Sequence, residues 1–275
     1  MDKPLIPVSQ LDARLHQPLG LAEEEDPVWE DGLIRGYIHS METVGSVNGP
    51  GIRYTIYTSG CALRCLYCHN PDTWHMRMGD HVKVNDVLDD IDGFAKFITV
   101  AGGGITVSGG EPLLQPRFVT ALFEGVKHRY GLSTCLDTSG ALGARASDEL
   151  LDLTDLVLLD IKSGDPETYR RVTSGELKPT LEFARRLSDR GNHMWIRFVM
   201  VPGLTDAPDN VAAVADFVAT LDYIDRVEVL PYHNFGERKY EALHWNYPLQ
   251  GLEPPTKEQV IAVQDIFRSR GLNVL

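Results

Sequence analysis

Three of the four cysteines lie close together in one short segment. They are Cys61, Cys65 and Cys68, and their spacing is C-x3-C-x2-C. Thiols this close along the chain do not make a disulfide framework, whereas a single tight loop can turn all three sulfurs toward one point. The spacing therefore predicts a metal or iron–sulfur site in this loop.

The number of ligands separates the two kinds of site. A structural zinc ion is closed by four protein ligands, and His69 could complete a Cys3His zinc-binding module. His69 directly follows Cys68, however, and adjacent side chains in an extended loop point apart. A [4Fe–4S] cluster held by three cysteines keeps one iron open, as a catalytic centre requires. The cluster is favoured, and the zinc module remains the alternative from a different class.

Glycines and polar residues follow each of the later predicted strands. In a barrel of parallel strands, the carboxyl ends of the strands meet at one rim, where the chemistry takes place. A shared site at that rim would collect all of these segments. They are residues 108–112 (SGGEP), 137–140 (DTSG), 160–162 (DIK), 201–203 (VPG) and 231–233 (PYH).

The elements that would position these residues alternate along the chain. Strands separated by helices of 10–15 residues indicate βαβ units and a parallel sheet. No GxGxxG follows the first strand, which argues against a dinucleotide fold. The predicted class is α/β, a partial (open) parallel β/α barrel of about six βα units, preceded by an edge strand at 33–41. The six strands are predicted at 52–58, 105–108, 132–137, 156–160, 194–201 and 226–231.

Composition and charge exclude several function classes. A formal net charge of −13 argues against a nucleic-acid binder, which needs a basic face. No apolar run approaches the ~20 residues needed to span a membrane, and clustered thiols suit a reducing cytoplasm. Residues 1–32 hold four prolines and an acidic run, which predicts an irregular arm. Residues 33–275 form one predicted domain.

Further segments extend a resemblance that begins with the cysteine spacing and the aromatic Tyr67 before the last cysteine. Together they resemble the radical S-adenosylmethionine (SAM) superfamily, and within it the family that activates glycyl-radical enzymes such as pyruvate formate-lyase. The resemblance covers roughly residues 35–273. Its segments are 45–53 (GSVNGPGIR), 61–74, 102–111 (GGGITVSGGE), 135–140 (CLDTSG), 158–162 (LLDIK), 181–185, 195–203 (WIRFVMVPG) and 230–233 (LPYH).

The resemblance implies a set of site residues. Cys61, Cys65 and Cys68 would hold a [4Fe–4S] cluster. The SAM site would comprise Tyr67, Cys68, His69, Gly110, Asp160, Ile161, Lys162 and His233. A monovalent cation would lie beside Asp137, Thr138, the carbonyl of Leu158, and Asp160. Arg197, mid-strand and facing inward, would contact SAM or substrate, or else pair with a neighbouring aspartate.

The implied reaction is radical generation on a partner protein. Reductive cleavage of SAM would give a 5′-deoxyadenosyl radical that takes a hydrogen from one glycine of the partner, so no catalytic side chain is expected. The short, cysteine-free stretch 70–84 favours pyruvate formate-lyase as partner over another glycyl-radical enzyme. A flavodoxin or ferredoxin electron donor and a monomeric chain are expected. Asn48 stands where the family usually has an aspartate near the substrate glycine.

Overall fold

The computed structural model describes residues 33–275, so the predicted acidic arm at 1–32 lies outside the described residues. Eight strands and eight α-helices make up most of the described chain. The strands are β1 Arg35–Gly45, β2 Arg53–Thr58, β3 Asp80–Lys83, β4 Gly104–Gly109, β5 Ser133–Thr138, β6 Leu156–Asp160, β7 Met194–Met200 and β8 Ile224–Pro231. The helices are α1 Val84–Val100, α2 Pro116–Tyr130, α3 Asp148–Asp152, α4 Pro166–Thr173, α5 Leu177–Arg190, α6 Pro208–Val218, α7 Glu237–Ala242 and α8 Lys257–Arg268.

All eight strands form one open sheet in the order β3-β1-β2-β4-β5-β6-β7-β8. The last six strands in that order are parallel, which confirms the predicted partial barrel of six βα units. The strand predicted at 33–41 is present as β1, but its predicted place at the edge of the sheet was wrong. β1 continues to Gly45, and β3 pairs along its outer side, so β3 is the edge. The short β3 was missed because its four residues carry no clear alternating pattern.

The outer face of the sheet carries the main hydrophobic core. Side chains in a strand alternate between faces, and on β7 Ile196 and Phe198 belong to the core shared with the helices. The helices contribute apolar stripes such as Phe118 and Leu122 of α2, all fully buried. Burying each such side chain stabilises the fold by roughly 1.5–3 kcal/mol. This layer holds the strands in the register that the site requires.

The inner face of the same strands is largely polar. Thr106 and Ser108 of β4, Asp137 of β5 and Arg197 of β7 alternate with core residues and are mostly buried. A one-residue slip in any strand would exchange these polar residues with the apolar ones. The apolar outer face therefore fixes which side chains point into the barrel. Within residues 33–275, no helix has both the length and the apolar character needed to cross a bilayer.

Candidate active site

The cysteine loop leaves the carboxyl end of β2 and is anchored by backbone hydrogen bonds on two sides. The Gly60 amide donates to the Thr73 carbonyl at 2.7 Å. The Arg64 amide donates to Thr173 at 2.7 Å, and the Leu66 amide donates to Val172 at 2.9 Å, both at the end of α4. These anchors shape the loop without help from the cysteine side chains. Backbone hydrogen bonds therefore hold both the start and the middle of the loop in place.

All three loop thiols are free and turned into one apolar cluster with Tyr67 and Trp74. Burial raises the pKa of Cys61 and of Cys68, and it raises the pKa of Cys65 to about 12. Charge repulsion from Cys65 and Cys68 further raises the pKa of Cys61, and repulsion from Cys68 raises that of Cys65, so the sulfurs lie near one another. A bound cation would offset both the burial of the thiolates and their mutual repulsion, and so would favour their ionised form.

His69 and His233 form a pair beside this loop. Their rings stack with centroids 4.0 Å apart, and Nε2 of His69 lies 3.0 Å from the carbonyl oxygen of His233. This contact ties the cysteine loop to the segment that follows β8. Within residues 33–275, no three His, Cys, Asp or Glu side chains are arranged to hold a single metal ion. The Nδ1 atom of His233 is buried without a hydrogen-bond partner, as expected for a group awaiting a ligand.

Tyr67, Asp160 and Lys162 come together on the other side of the loop. The Nζ atom of Lys162 bonds Oδ2 of Asp160 at 3.1 Å and lies 5.8 Å from the centre of the Tyr67 ring. The Tyr67 hydroxyl is buried and has no partner. Ile161, between the two charged residues, is fully buried and donates its amide to the Arg197 carbonyl at 3.0 Å. A buried cation and an unpaired hydroxyl beside three thiols suit a small polar ligand.

Gly110 lies where the β4 loop crosses the cysteine loop. A Cβ atom there would come within 2.1 Å of the Gly60 carbonyl oxygen, so only glycine allows this approach. The Gly110 amide already donates to Thr58 at 2.9 Å. Any bond from Gly110 to a ligand would therefore use its carbonyl oxygen, which can accept from an amino group.

The proposed cation ligands are neighbours, but one side chain is turned away. Asp137 lies opposite Leu158 in the β5–β6 register, and its Oδ2 accepts from Ser108 Oγ at 2.7 Å. Burial raises the pKa of Asp137, and Asp160 raises it further, while Arg197 opposes the shift. The Thr138 hydroxyl instead donates to Glu111 at 2.6 Å. Thr138 could then contribute only its carbonyl, and the cation site stays a prediction.

Comparisons with known proteins agree with this geometry. The Radical SAM superfamily model matches residues 55–217. The pyruvate formate-lyase-activating enzyme of Staphylococcus epidermidis is 42% identical over 248 residues, which is 88% of this chain and 97% of that protein. The Staphylococcus aureus enzyme is 42% identical over 246 residues, 87% of this chain and 98% of that protein.

This chain belongs to the radical SAM superfamily and, within it, to the pyruvate formate-lyase-activating enzymes. Solved structures support the fold alone. A domain of the pyruvate formate-lyase-activating enzyme from Bacteroides vulgatus superposes with a TM-score of 0.51 at 24% identity, over 63% of this chain and 98% of that one. SuiB of Streptococcus suis, bound to its precursor peptide SuiA, superposes at 0.60 with 16% identity, over 80% of this chain and 47% of that one.

Membership in the pyruvate formate-lyase-activating family makes a [4Fe–4S] cluster and SAM the cofactors of this chain. The residues present fit both. Three partly buried thiols in one loop match the donor set of the cluster. The unpaired Tyr67 hydroxyl and His233 Nδ1, with the Lys162 ammonium, supply polar groups for a ligand with an amino acid end and a nucleoside end.

Glu111 is a residue of this activase site whose role the sequence did not reveal. Its fully buried carboxylate accepts from Ser139 Oγ at 2.5 Å, the Ser139 amide at 3.1 Å and the Leu113 amide at 3.1 Å, besides Thr138. Burial raises the pKa of Glu111, and these hydrogen bonds oppose the shift. Glu111 thereby ties the β4 loop to the β5 loop. The only available signal was its place at the end of the SGGE motif.

Arg197 is held by protein groups on all sides. Its Nη1 bonds Asp137 at 3.2 Å, its Nε bonds Glu228 at 3.1 Å, and its Nη2 bonds the Val47 carbonyl at 2.6 Å. Of the two sequence-based alternatives, pairing with a neighbouring aspartate is the one present in the structure. Glu228 was not anticipated, because its pairing with Arg197 depends on the register between β7 and β8, which the sequence alone does not give.

Proposed function

We propose that this protein activates pyruvate formate-lyase by creating a glycyl radical on it. One observation carries the proposal. Three partly buried cysteines share a loop at the carboxyl ends of the parallel strands, in a chain 42% identical to a pyruvate formate-lyase-activating enzyme over 97% of its length. When bound, the cluster supplies the electron that cleaves SAM, and the resulting 5′-deoxyadenosyl radical takes one hydrogen atom from a glycine of the partner.

The chain's own residues would bind and orient the cofactors. Cys61, Cys65 and Cys68 would hold the cluster, and Lys162 would meet the SAM carboxylate while Asp160 faces the ribose. The Gly110 carbonyl would accept from the SAM amino group. Tyr67 and His69 would border SAM from the cysteine loop, Ile161 would line its pocket, and His233 would reach the nucleoside. These assignments rest on the positions described above and on the family resemblance.

No side chain is needed to remove a proton in this scheme, so the protein's task is to position reactants and exclude water. An aromatic wall beside the cysteine loop supports that role. Trp74 stacks on Trp245 with ring centroids 5.4 Å apart, and Tyr240 meets Trp74 edge-on at 6.0 Å. Asp137, Asp160 and the carbonyls of Thr138 and Leu158 would place a monovalent cation near the SAM carboxylate.

The remaining partners follow from the same chemistry. A one-electron donor of the flavodoxin or ferredoxin class would reduce the cluster, and the protein would act as a monomer in the cytoplasm. Reducing surroundings would keep the three loop thiols available as ligands. Mixing the purified chain with each reduced donor, followed by quantification of methionine released from SAM, would identify the donor.

Anaerobic reconstitution provides the main test. The brown protein, mixed with SAM, reductant and pyruvate formate-lyase, should yield a glycyl radical signal by electron paramagnetic resonance (EPR). Cys65→Ala should abolish that signal and lower bound iron, whereas Cys135→Ala, a buried cysteine outside the loop, should retain iron. Colourless, iron-free protein would overturn the radical mechanism. SAM cleavage without a radical on pyruvate formate-lyase would indicate a different glycyl-radical enzyme as partner.

A further inference from the structure

The segment that follows the cysteine loop is held from outside by Lys239 of α7. The Lys239 ammonium donates to Oδ1 of Asn70 at 2.8 Å and pairs with Oδ2 of Asp72 at 3.0 Å. His39 of β1 reaches the same carboxylate, with its Nε2 atom 3.0 Å from Oδ2 of Asp72. Helix α7 and strand β1 therefore meet at a carboxylate that lies four positions after Cys68 in the chain.

The charges of the Asp72–Lys239 pair reach the cysteine loop itself. Helix α7 begins against the loop, since a Cβ atom on Gly236 would lie 3.0 Å from the carbonyl oxygen of Cys68. Burial raises the pKa of Cys68, and the negative charge of Asp72 raises it further. Burial lowers the pKa of His69, and the positive charge of Lys239 lowers it further. Asp72 and Lys239 thus act on the same thiol-bearing segment with opposite sign.

A carboxylate beside an iron–sulfur cluster makes the cluster harder to reduce. Reduction adds an electron, and a nearby negative charge repels it. The potential of such a cluster accordingly depends on the net charge around it and on its exposure to solvent. The side chains of Lys239 and Asp72 are 40% and 24% exposed, so water screens their charges only in part. The lysine can therefore cancel much of the effect of the aspartate at the cysteine loop.

We propose that Lys239 raises the reduction potential of the [4Fe–4S] cluster by neutralising Asp72. Lys239 acts through Asp72, so it is a positioning residue and not a ligand of the cluster. The contact joins residues 167 positions apart, which is why the sequence alone does not indicate it. The inference concerns the cluster alone and holds whichever protein receives the radical.

A redox titration of the anaerobically reconstituted protein, without SAM, tests the proposal. The midpoint potential is read from the EPR signal of the reduced cluster. All proteins carry His39→Gln, so that an imidazolium cannot replace the lysine charge. Lys239→Met should make the one-electron reduction constant about threefold smaller, as for a partly exposed charge pair. This change corresponds to a midpoint potential about 30 mV lower.

Removal of the aspartate should shift the potential in the opposite direction. Asp72→Asn should raise it by a similar amount. Asp72→Asn combined with Lys239→Met should return it to the value of the His39→Gln parent, because the pair again carries no net charge. A Lys239→Met potential equal to that of the parent would overturn the proposal, and so would a lower potential for Asp72→Asn. If Lys239→Met lost its iron, Asp72→Asn would decide alone, with a rise supporting the proposal and no rise contradicting it.

Two further variants separate the ion pair from a general change of charge. Lys239→Arg keeps the positive charge and should keep the parent potential. Arg238→Met removes an equal charge from the exposed neighbouring position of α7 and should leave the potential unchanged. A drop as large as that of Lys239→Met in either variant would show that charge pairing with Asp72 is not the cause, and the proposal would fail.

Discussion

The two faces of one sheet differ in what holds them together. On the outer face of β7, Ile196 and Phe198 are fully buried against helices. On the inner face of the same strand, Arg197 bridges Asp137 of β5 and Glu228 of β8. The outer contacts are non-directional and depend on buried area. The inner contacts depend on distances and angles, and each charged group requires its partner.

The comparison separates stability from function. Buried ion pairs are often no more stabilising than apolar residues of the same size, because removing two charges from water is costly. A charged inner face therefore stabilises the fold no more than apolar residues of the same size would. What it adds is a set of oriented donors and acceptors at the point where SAM and the partner glycine would meet. Substitutions on the two faces should accordingly differ in kind as well as in size.

The largest loss is expected from the outer face. Phe198→Ala removes a fully buried ring that packs on Phe267 with centroids 5.8 Å apart. The free energy of unfolding should fall by about 4 kcal/mol because of the lost burial and the remaining cavity. Urea unfolding provides the measurement. Val100→Ala, at an 82% exposed site, is the control and should change stability by less than about 0.5 kcal/mol.

A somewhat smaller loss is expected from the inner face. Arg197→Met leaves Asp137 and Glu228 without their shared cation, and the free energy of unfolding should fall by about 3 kcal/mol. Adding Asp137→Asn removes one of the uncompensated charges and should recover part of this loss. Urea unfolding of the single and double variants provides the measurement. If the double variant were less stable than Arg197→Met, charge compensation would not be the reason for the network.

Glu111 should produce an intermediate effect that depends on pH. Glu111→Gln replaces one acceptor oxygen by a donor facing Ser139, at a cost of about 2 kcal/mol near pH 5. Burial raises the folded-state pKa of Glu111 above its ordinary value of 4.5. Its contribution to stability is therefore complete below pH 4.5 and is lost as the pH rises through the folded-state pKa. The stability difference between wild type and variant should shrink with rising pH, and a difference that grows would contradict the raised pKa.

The smallest effect is expected from an ion pair on neither face. Lys178 and Glu182 lie 3.6 Å apart on the exposed side of α5, with side chains 82% and 59% exposed. Glu182→Ala should change the free energy of unfolding by less than about 0.5 kcal/mol, because water and salt screen such pairs. Thermal unfolding at low and high salt provides the measurement. A loss comparable to that of Arg197→Met would remove the distinction between exposed and interior charges.

Much of the site could be predicted because its signals are local. The three cysteines, the glycines before Glu111 and the Asp160–Lys162 pair each belong to one short segment. The alternating strands and periodic helices likewise predicted six βα units. The errors have local causes as well. β3 is only four residues long, too short to show an alternating pattern.

The sequence by itself determined the clustering of three cysteines in one loop and the fold class, because these follow from spacing and periodicity along the chain. Only the tertiary structure decided which polar groups meet inside the barrel. Arg197 finds Asp137 60 positions away and Glu228 31 positions away, and Tyr57 joins Glu42 to Asn48 across two strands and a loop. Such pairings depend on strand order and register, which are set by the packing of the whole sheet against its helices.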